Sequence, residues 1–160
     1  MKRKDLIGYL LGLILFVILI PLVMWLFGAD VRPTWPRILC LASAAVIGIG
    51  ISLWSIIYMR VVGKGNPMDA FNHEVAPRTS KLMTEGPYKL CRNPMLFGVI
   101  VYYLGLLIFL HSLRAAAVFA VFFIIMMIQV HFEEKRLLRD FGDDYLKYQT
   151  KTKKIIPFIW

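Results

Sequence analysis

Residues 86–98 read Gly-Pro-Tyr-Lys-Leu-Cys-Arg-Asn-Pro-Met-Leu-Phe-Gly, and they form the junction between a charged segment and an apolar one. Pro94 is predicted to begin a helix, because its missing N–H group would be unpaired in the first helical turn anyway. Arg92 and Asn93 would then lie at a helix N-terminus, where free N–H groups and the dipole favour an anionic ligand group. The simpler interpretation of these two residues is a positive-inside arginine beside an asparagine cap.

Four stretches without formal charge predict an all-α integral membrane protein with four transmembrane helices, a cytosolic loop and an amphipathic C-terminal tail. A bilayer core needs about 20 apolar residues per helix. We therefore expect one membrane-embedded domain over residues 1–160, with helices at about 6–29, 38–59, 94–113 and 115–140. The first stretch is longer than the apolar part of a signal peptide, so a cleavable leader is not expected.

The distribution of lysine and arginine predicts the orientation of these helices. Sixteen of the nineteen cations lie before the first helix, in the loop 60–92 or in the tail after residue 132. The positive-inside rule places these segments, and both termini, in the cytosol. The net charge of +9 is then explained by topology and by anionic lipid headgroups, so nucleic-acid binding is not predicted.

The cysteines and histidines indicate neither a disulfide nor a metal site. Cys40 and Cys91 are predicted at different depths in a reducing compartment. His73 and His131 lack a third ligand at zinc spacing.

Glu133 and Glu134 follow the last apolar stretch, where carboxylates are unfavourable unless they are paired. Glu133 can pair with Arg136 at i+3, whereas Glu134 points to a different helix face, towards the bundle or the loop. An arginine and a glutamate facing each other across a helix hairpin could hold the carboxylate and ammonium groups of an amino-acid-like ligand. S-adenosylmethionine has both groups and is one of several such ligands.

Taken together, these residues resemble the isoprenylcysteine carboxyl methyltransferase family, which includes phospholipid N-methyltransferase relatives. The similarity extends from about residue 71 to the C-terminus. It rests on Lys-Leu-Met-Thr-Glu-Gly-Pro-Tyr at 81–88, Arg-Asn-Pro-Met at 92–95 with Gly98, Glu-Glu at 133–134, Phe-Gly-Asp-Asp-Tyr-Leu-Lys-Tyr at 141–148 and Ile-Pro-Phe-Ile at 156–159.

The resemblance implies a membrane methyltransferase that binds S-adenosylmethionine from the cytosol and admits a lipophilic substrate sideways between helices. By residue-by-residue matching, the cofactor contacts would be Ser80, Lys81, Leu82, Met83, Tyr88, Asn93, Pro94, Met95, Leu96 and Glu133. Arg92 would orient a carboxylate of cofactor or substrate. Glu134 or His73 could serve as the base if the acceptor is an amine.

Departures from the family pattern bear on the substrate and on the source. Many relatives have His at the position of Asn93 and Tyr at that of Leu96, whereas some bacterial relatives carry Arg-Asn-Pro-Met as this chain does. Asn93 therefore does not exclude the cofactor. The expected location is a prokaryotic cytoplasmic membrane. Gln129 stands where the eukaryotic prenylcysteine enzymes have a substrate-binding Arg, while Phe-Asn-His at 71–73 resembles those enzymes. Gln129 and His73 are thus the candidate substrate residues.

The methyl acceptor itself stays open between a prenylcysteine-type carboxylate and a lipid amine, and so does the oligomeric state. The expected partners are a lipophilic or lipid-modified substrate and membrane lipids. Two alternative functions also stay open: an NADPH-dependent membrane reductase of related architecture, and a non-catalytic lipid-binding membrane protein.

Overall fold

The computed structural model describes residues 12, 14–28, 34–63, 69–70, 73–74 and 81–159, and these ranges are mainly helical. The first apolar helix consists of a π-helical segment, Ile14–Leu19, followed by α1, Ile20–Phe27. The longer helices are α2, Trp35–Val62, α3, Pro94–Leu110, and α4, Leu113–Lys151. Two short strands, β1 at Asp69–Ala70 and β2 at His73–Glu74, form an antiparallel pair, and Gly86–Lys89 is a 3₁₀ turn.

Among the described residues, α2 and α4 are long and apolar enough to cross a bilayer, and Ile14–Phe27 and Pro94–Leu110 are shorter apolar helices. Only 11% of the apolar window of α2 and 17% of that of α4 is buried inside the protein. A core helix of a soluble protein would be mostly buried, so these outward-facing apolar surfaces indicate association with a membrane. That all four helices cross the membrane remains a prediction.

The boundaries of α2, α3 and α4 differ from those expected. Helix α2 begins and ends three residues further out than predicted. Helix α3 ends at Leu110 rather than at residue 113, because His111 adopts a left-handed conformation with φ 47° and ψ 42°. Helix α4 continues to Lys151, although it is interrupted at Gly142, where φ is 52° and ψ is −126°. The sequence predicts that the helix ends at Gly142 with a C-terminal cap, since a glycine adopts positive φ at little energetic penalty. A helix resumes directly beyond it.

Close packing of α2 against α3 forms the most extensive helix contact. Gly48 on α2 faces Gly98 on α3, and a side chain at either position would collide with the backbone opposite. Nearby, the Ser52 hydroxyl donates a hydrogen bond of 3.0 Å to the Met95 carbonyl oxygen. Ala44, Gly48 and Ser52 share one face of α2, and this spacing predicts a packing surface, because small side chains let helices approach closely in lipid.

The first apolar helix is attached to α3 and to the α3–α4 turn by polar contacts. The buried Tyr103 hydroxyl donates a hydrogen bond of 2.8 Å to the carbonyl oxygen of Phe16. At the opposite end, the Ser112 hydroxyl donates to the carbonyl oxygen of Phe27 at 3.3 Å. These contacts hold the first helix alongside α4 and leave a cavity between them.

A second apolar cluster joins the segment before α3 to the part of α4 beyond Gly142. Its buried members are Met83, Tyr88, Tyr145 and Tyr148. Within it, the Tyr148 hydroxyl donates a hydrogen bond of 2.6 Å to the carbonyl oxygen of Tyr88. The bend at Gly142 therefore places the end of α4 against the segment that precedes the N-terminus of α3.

Candidate active site

A cavity of about 800 Å³ lies between the first apolar helix and α4 and reaches the N-terminus of α3. This volume is within the range of small-molecule and cofactor sites. Most of its polar side chains lie at the end near the N-terminus of α3. They are Tyr88, Arg92, Asn93, Gln129 and Glu133. Apart from Arg114 at the opposite end, the remaining lining residues are apolar: Leu15, Phe16, Ile20, Phe27, Met59, Pro94, Met95, Leu96, Ala117, Val118, Val121, Phe122, Ile125, Met126 and Val130.

Arg92, Glu134 and Lys154 form a charged network at the polar end, which we call the Arg92 network. The Nε and Nη2 groups of Arg92 donate hydrogen bonds of 2.9 and 2.6 Å to Oε1 of Glu134. Lys154 Nζ lies 2.8 Å from Oε2 of the same carboxylate. The side chains of Arg92 and Glu134 are only 12% and 13% exposed, so this pair is largely removed from solvent.

The Arg92 network also attaches the C-terminal tail to the start of α3. Nη1 of Arg92 donates to the carbonyl oxygen of Thr152 at 2.5 Å. The backbone N–H groups of Arg92 and Asn93 donate to the carbonyl oxygens of Lys153 and Lys154 at 2.8 and 3.1 Å. The sequence predicted that free N–H groups at this helix N-terminus would favour an anionic ligand. The N–H groups of Arg92 and Asn93 are instead hydrogen-bonded to the C-terminal tail.

Asn93 occupies the N-cap position of α3, but its side chain makes no capping hydrogen bond. Its Nδ2 group instead donates to the carbonyl oxygen of Lys154 at 3.0 Å. The interpretation of Asn93 as an asparagine cap is therefore wrong in its hydrogen bonding, because the tail competes for the side chain.

The two adjacent glutamates point to different faces of α4, as predicted. Glu134 faces Arg92, whereas Glu133 lines the cavity and lies 3.7 Å from Nη2 of Arg136. About 100° of rotation between successive helical residues separates the two side chains. The predicted pairing of Glu133 with Arg136 is confirmed, and a third of the Glu133 side chain is exposed.

The structure brings most of the predicted site residues to one cavity. Eight of them line it: Tyr88, Arg92, Asn93, Pro94, Met95, Leu96, Gln129 and Glu133. Leu82 and Met83 pack in the second apolar cluster beside Tyr88, and Lys81 is exposed. His73 is described only through its backbone in β2, and Ser80 lies outside the described residues.

Sequence reasoning missed two groups of site residues. The first is Lys154, whose partner lies 20 positions earlier in the chain and which looked like one more cytosolic cation. The second is the cavity wall formed by Leu15, Phe16, Ile20 and Phe27. No signal in the sequence separates these apolar side chains from their lipid-facing neighbours, since both faces of the helix are apolar.

Cys91 lies immediately before the Arg92 network and is fully buried. Burial raises the pKa of its thiol to about 11, even though Arg92 opposes the shift. We expect Cys91 in a Cys40→Ala protein to resist maleimide at about pH 8, since the reactive thiolate would be a small fraction there. Mass spectrometry before and after unfolding in dodecyl sulfate checks this, and rapid labelling of the folded protein would contradict it.

The outward apolar faces and a largely apolar cavity, with most of its polar side chains at the N-terminus of α3, define a membrane-associated protein with an internal binding cavity. The chain belongs to the phospholipid methyltransferase family, whose sequence model matches residues 37–144. The resemblance identified in the sequence is thereby confirmed. The matched range covers α2 from its third residue, all of α3, and α4 as far as two residues beyond Gly142, and the tail with Lys154 follows it. No curated protein sequence matches the chain.

Proposed function

We propose that this protein transfers a methyl group from S-adenosylmethionine to a lipophilic acceptor at the cytosolic face of a membrane. Family membership makes methyl transfer to a lipid-type acceptor the expected class of activity. One observation carries the proposal: Glu133 and Asn93 occupy the polar end of a cavity whose remaining length is largely apolar. Such a site suits a polar reacting group with an attached hydrocarbon chain.

The residues at the polar end have the chemistry that S-adenosylmethionine requires. Glu133 offers a partly exposed carboxylate to an ammonium group. Tyr88, Met95 and Leu96 offer apolar and aromatic surface to the adenosyl part. When bound, the cofactor would supply a methyl group activated by the sulfonium. We assign cofactor binding to these residues together with Asn93, Pro94 and the segment 80–83.

The contribution of the chain itself is orientation and exclusion of water. The Arg92 network holds the tail against the start of α3, at the polar end of the cavity, which supports a role in orienting the reactants. Holding two reactants in line can supply roughly 7–11 kcal/mol of the activation barrier. A site that achieves this needs no strong acid or base when the acceptor is a carboxylate.

An amine acceptor must lose a proton, and Glu134 and His73 are our candidates for the base. Arg92 is the candidate for orienting a carboxylate, and Gln129 is placed to contact the substrate because it lines the cavity. In the described arrangement Arg92 and Glu134 bind each other. Either residue would need to exchange this partner in order to act directly on substrate.

Replacing Glu133 with glutamine should weaken S-adenosylmethionine binding by about tenfold or more, since a charge-assisted hydrogen bond contributes roughly 1.5–3 kcal/mol. The shape of the side chain is retained, so the thermal midpoint should change little. Isothermal titration calorimetry on the detergent-purified protein measures the affinity. Asp144→Asn is the matched control, because Asp144 is exposed beyond Gly142 and pairs only loosely with Lys147 at 3.8 Å.

The same titration, repeated with NADPH, separates the alternative functions. Saturable binding of S-adenosylmethionine that Glu133→Gln weakens would support the proposal. Preferential binding of NADPH would favour a reductase. A folded protein that binds neither would be a non-catalytic lipid-binding member of the family. Unchanged affinity in Glu133→Gln would remove that residue from the cofactor site.

A further inference from the structure

The C-terminal tail ends its described part in a tight turn with exposed apolar side chains. The N–H group of Ile159 donates a hydrogen bond of 3.2 Å to the carbonyl oxygen of Ile156. Pro157 occupies the second position of this turn, where its fixed φ is favourable. Phe158 occupies the third position with φ 66°, where glycine or asparagine is usual. The side chains of Phe158 and Ile159 are 84% and 75% exposed.

Neither the backbone conformation nor the exposure of Phe158 is favourable for the chain by itself. A bulky residue with positive φ is an outlier, because its Cβ atom is crowded by the backbone. Such strain persists where a function retains it. Burial does not offset the strain, since little of the Phe158 side chain is covered by the protein. The contact that favours this turn therefore lies outside the described residues.

The turn has a fixed position beside the predicted membrane boundary. Ile155, directly before it, is fully buried in the same apolar cluster as Leu96 of α3. The carbonyl oxygens of residues 152–154 accept hydrogen bonds from Arg92 and from the backbone just before α3. Since α3 is predicted to enter the bilayer from the cytosol at its N-terminus, the turn is expected at the depth of the cytosolic headgroups.

Cationic side chains accompany the turn. Residues 145–160 contain four lysines and no acidic residue. Lys154 is bound to Glu134, whereas Lys151 and Lys153 are exposed. Lysines beside exposed apolar side chains are complementary to an anionic bilayer surface, because the cations attract the headgroups while the apolar groups enter the acyl boundary. This charge and this position favour lipid over a protein partner, which would have to displace lipid from the boundary.

We propose that the tail is a docking site for anionic lipids of the cytosolic leaflet. Phe158 and Ile159 insert below the headgroups, and Lys151 and Lys153 bind their phosphate groups. Each lysine near an anionic surface should favour the docked state by about fivefold. Docking and the Arg92 network act on the same segment, so an anionic leaflet helps to hold the tail against the start of α3.

Depth-dependent fluorescence quenching tests this docking. The full chain with Ile159→Cys and Cys40→Ala is labelled with the fluorophore NBD, while the buried Cys91 is expected to stay unlabelled. It is reconstituted into nanodiscs of phosphatidylcholine, with or without phosphatidylglycerol. Nitroxide-labelled lipids quench an inserted label, whereas iodide quenches a label in water. We expect strong nitroxide quenching in the mixed bilayer and weaker quenching in phosphatidylcholine alone.

Phe158→Gly separates insertion from folding, because glycine suits φ 66° and has no side chain to insert. It should lose most of the nitroxide quenching and keep the thermal midpoint in detergent. Lys151→Gln combined with Lys153→Gln should lower the ratio of inserted to free label in the mixed bilayer by about 25-fold. The matched control is Lys89→Gln combined with Lys135→Gln, two exposed lysines outside the tail, which should leave this ratio unchanged.

Three results would each overturn the proposal. Equal quenching in the two bilayers would show that the tail does not select anionic lipid. Iodide quenching in both would show that the turn stays in water and would leave its apolar side chains for a protein partner. Unchanged nitroxide quenching in Phe158→Gly would show that the label inserts by itself. None of these measurements depends on cofactor binding, so they stand apart from the test of the proposed function.

Discussion

Replacing Arg92 with alanine should abolish most S-adenosylmethionine binding and destabilise the folded protein by about 3–5 kcal/mol. Arg92 donates through three nitrogen groups to Glu134 and to the tail. Its loss leaves the poorly exposed Glu134 carboxylate paired with Lys154 alone among the described residues, and frees the carbonyl oxygen of Thr152. Removing one member of a buried pair is costly, because the charge left behind remains desolvated.

Arg92→Lys should rescue only part of this loss. A lysine ammonium cannot reproduce the planar fork that spans Glu134 and the tail carbonyl groups. Thermal unfolding in detergent measures the stability and calorimetry the cofactor affinity. Arg139→Ala is the matched control, since Arg139 is 65% exposed and lies 3.6 Å from Asp140. An exposed pair contributes about 1 kcal/mol or less. An Arg92→Ala protein as stable as Arg139→Ala would show that the Arg92 network does not hold the tail.

Replacing Gly48 with valine should prevent α2 and α3 from packing and should eliminate most folded protein. A Cβ atom at this position would collide with the carbonyl oxygen of Gly98 and with the backbone of Tyr102. Backbone atoms cannot rotate away as a flexible side chain can, so the helices must separate. Overpacking of this kind costs about 1–3 kcal/mol or more, and in lipid the lost helix contacts are not replaced by a gain in burial.

Gly50→Val provides the control within the same helix. Gly50 is exposed, and nothing lies within 4 Å of a Cβ atom built there. Both variants add the same side chain to α2, so the difference between them isolates the contact with α3. Size-exclusion chromatography and thermal unfolding in detergent compare the two. Equal folding of Gly48→Val and Gly50→Val would contradict the assigned helix packing.

Much of the helical architecture could be predicted, because apolar stretches and single proline or glycine residues determine where helices form, begin and end. The long apolar stretches account for α2, α3 and α4, and Pro94 and Gly142 mark the start of one helix and the interruption of another. The boundary at Leu110 could not be predicted, since a left-handed His111 is one of several ways to end a helix. At the site, the family motifs led to Asn93, Glu133 and their neighbours, because those motifs are contiguous in the chain.

By itself, the sequence determined that the chain is helical, apolar on its outer faces and a member of a methyltransferase family. Only the tertiary structure decided that Arg92 binds Glu134 and the tail, and which face of α4 lines the cavity. The physical reason is that both depend on how the helices are rotated against one another. Arg92 and Glu134 are 42 residues apart, and no local pattern encodes a contact across that separation. Residues 115–128 of α4 are all apolar, so the neighbouring helices alone distinguish Ala117, which lines the cavity, from Ala120, which does not.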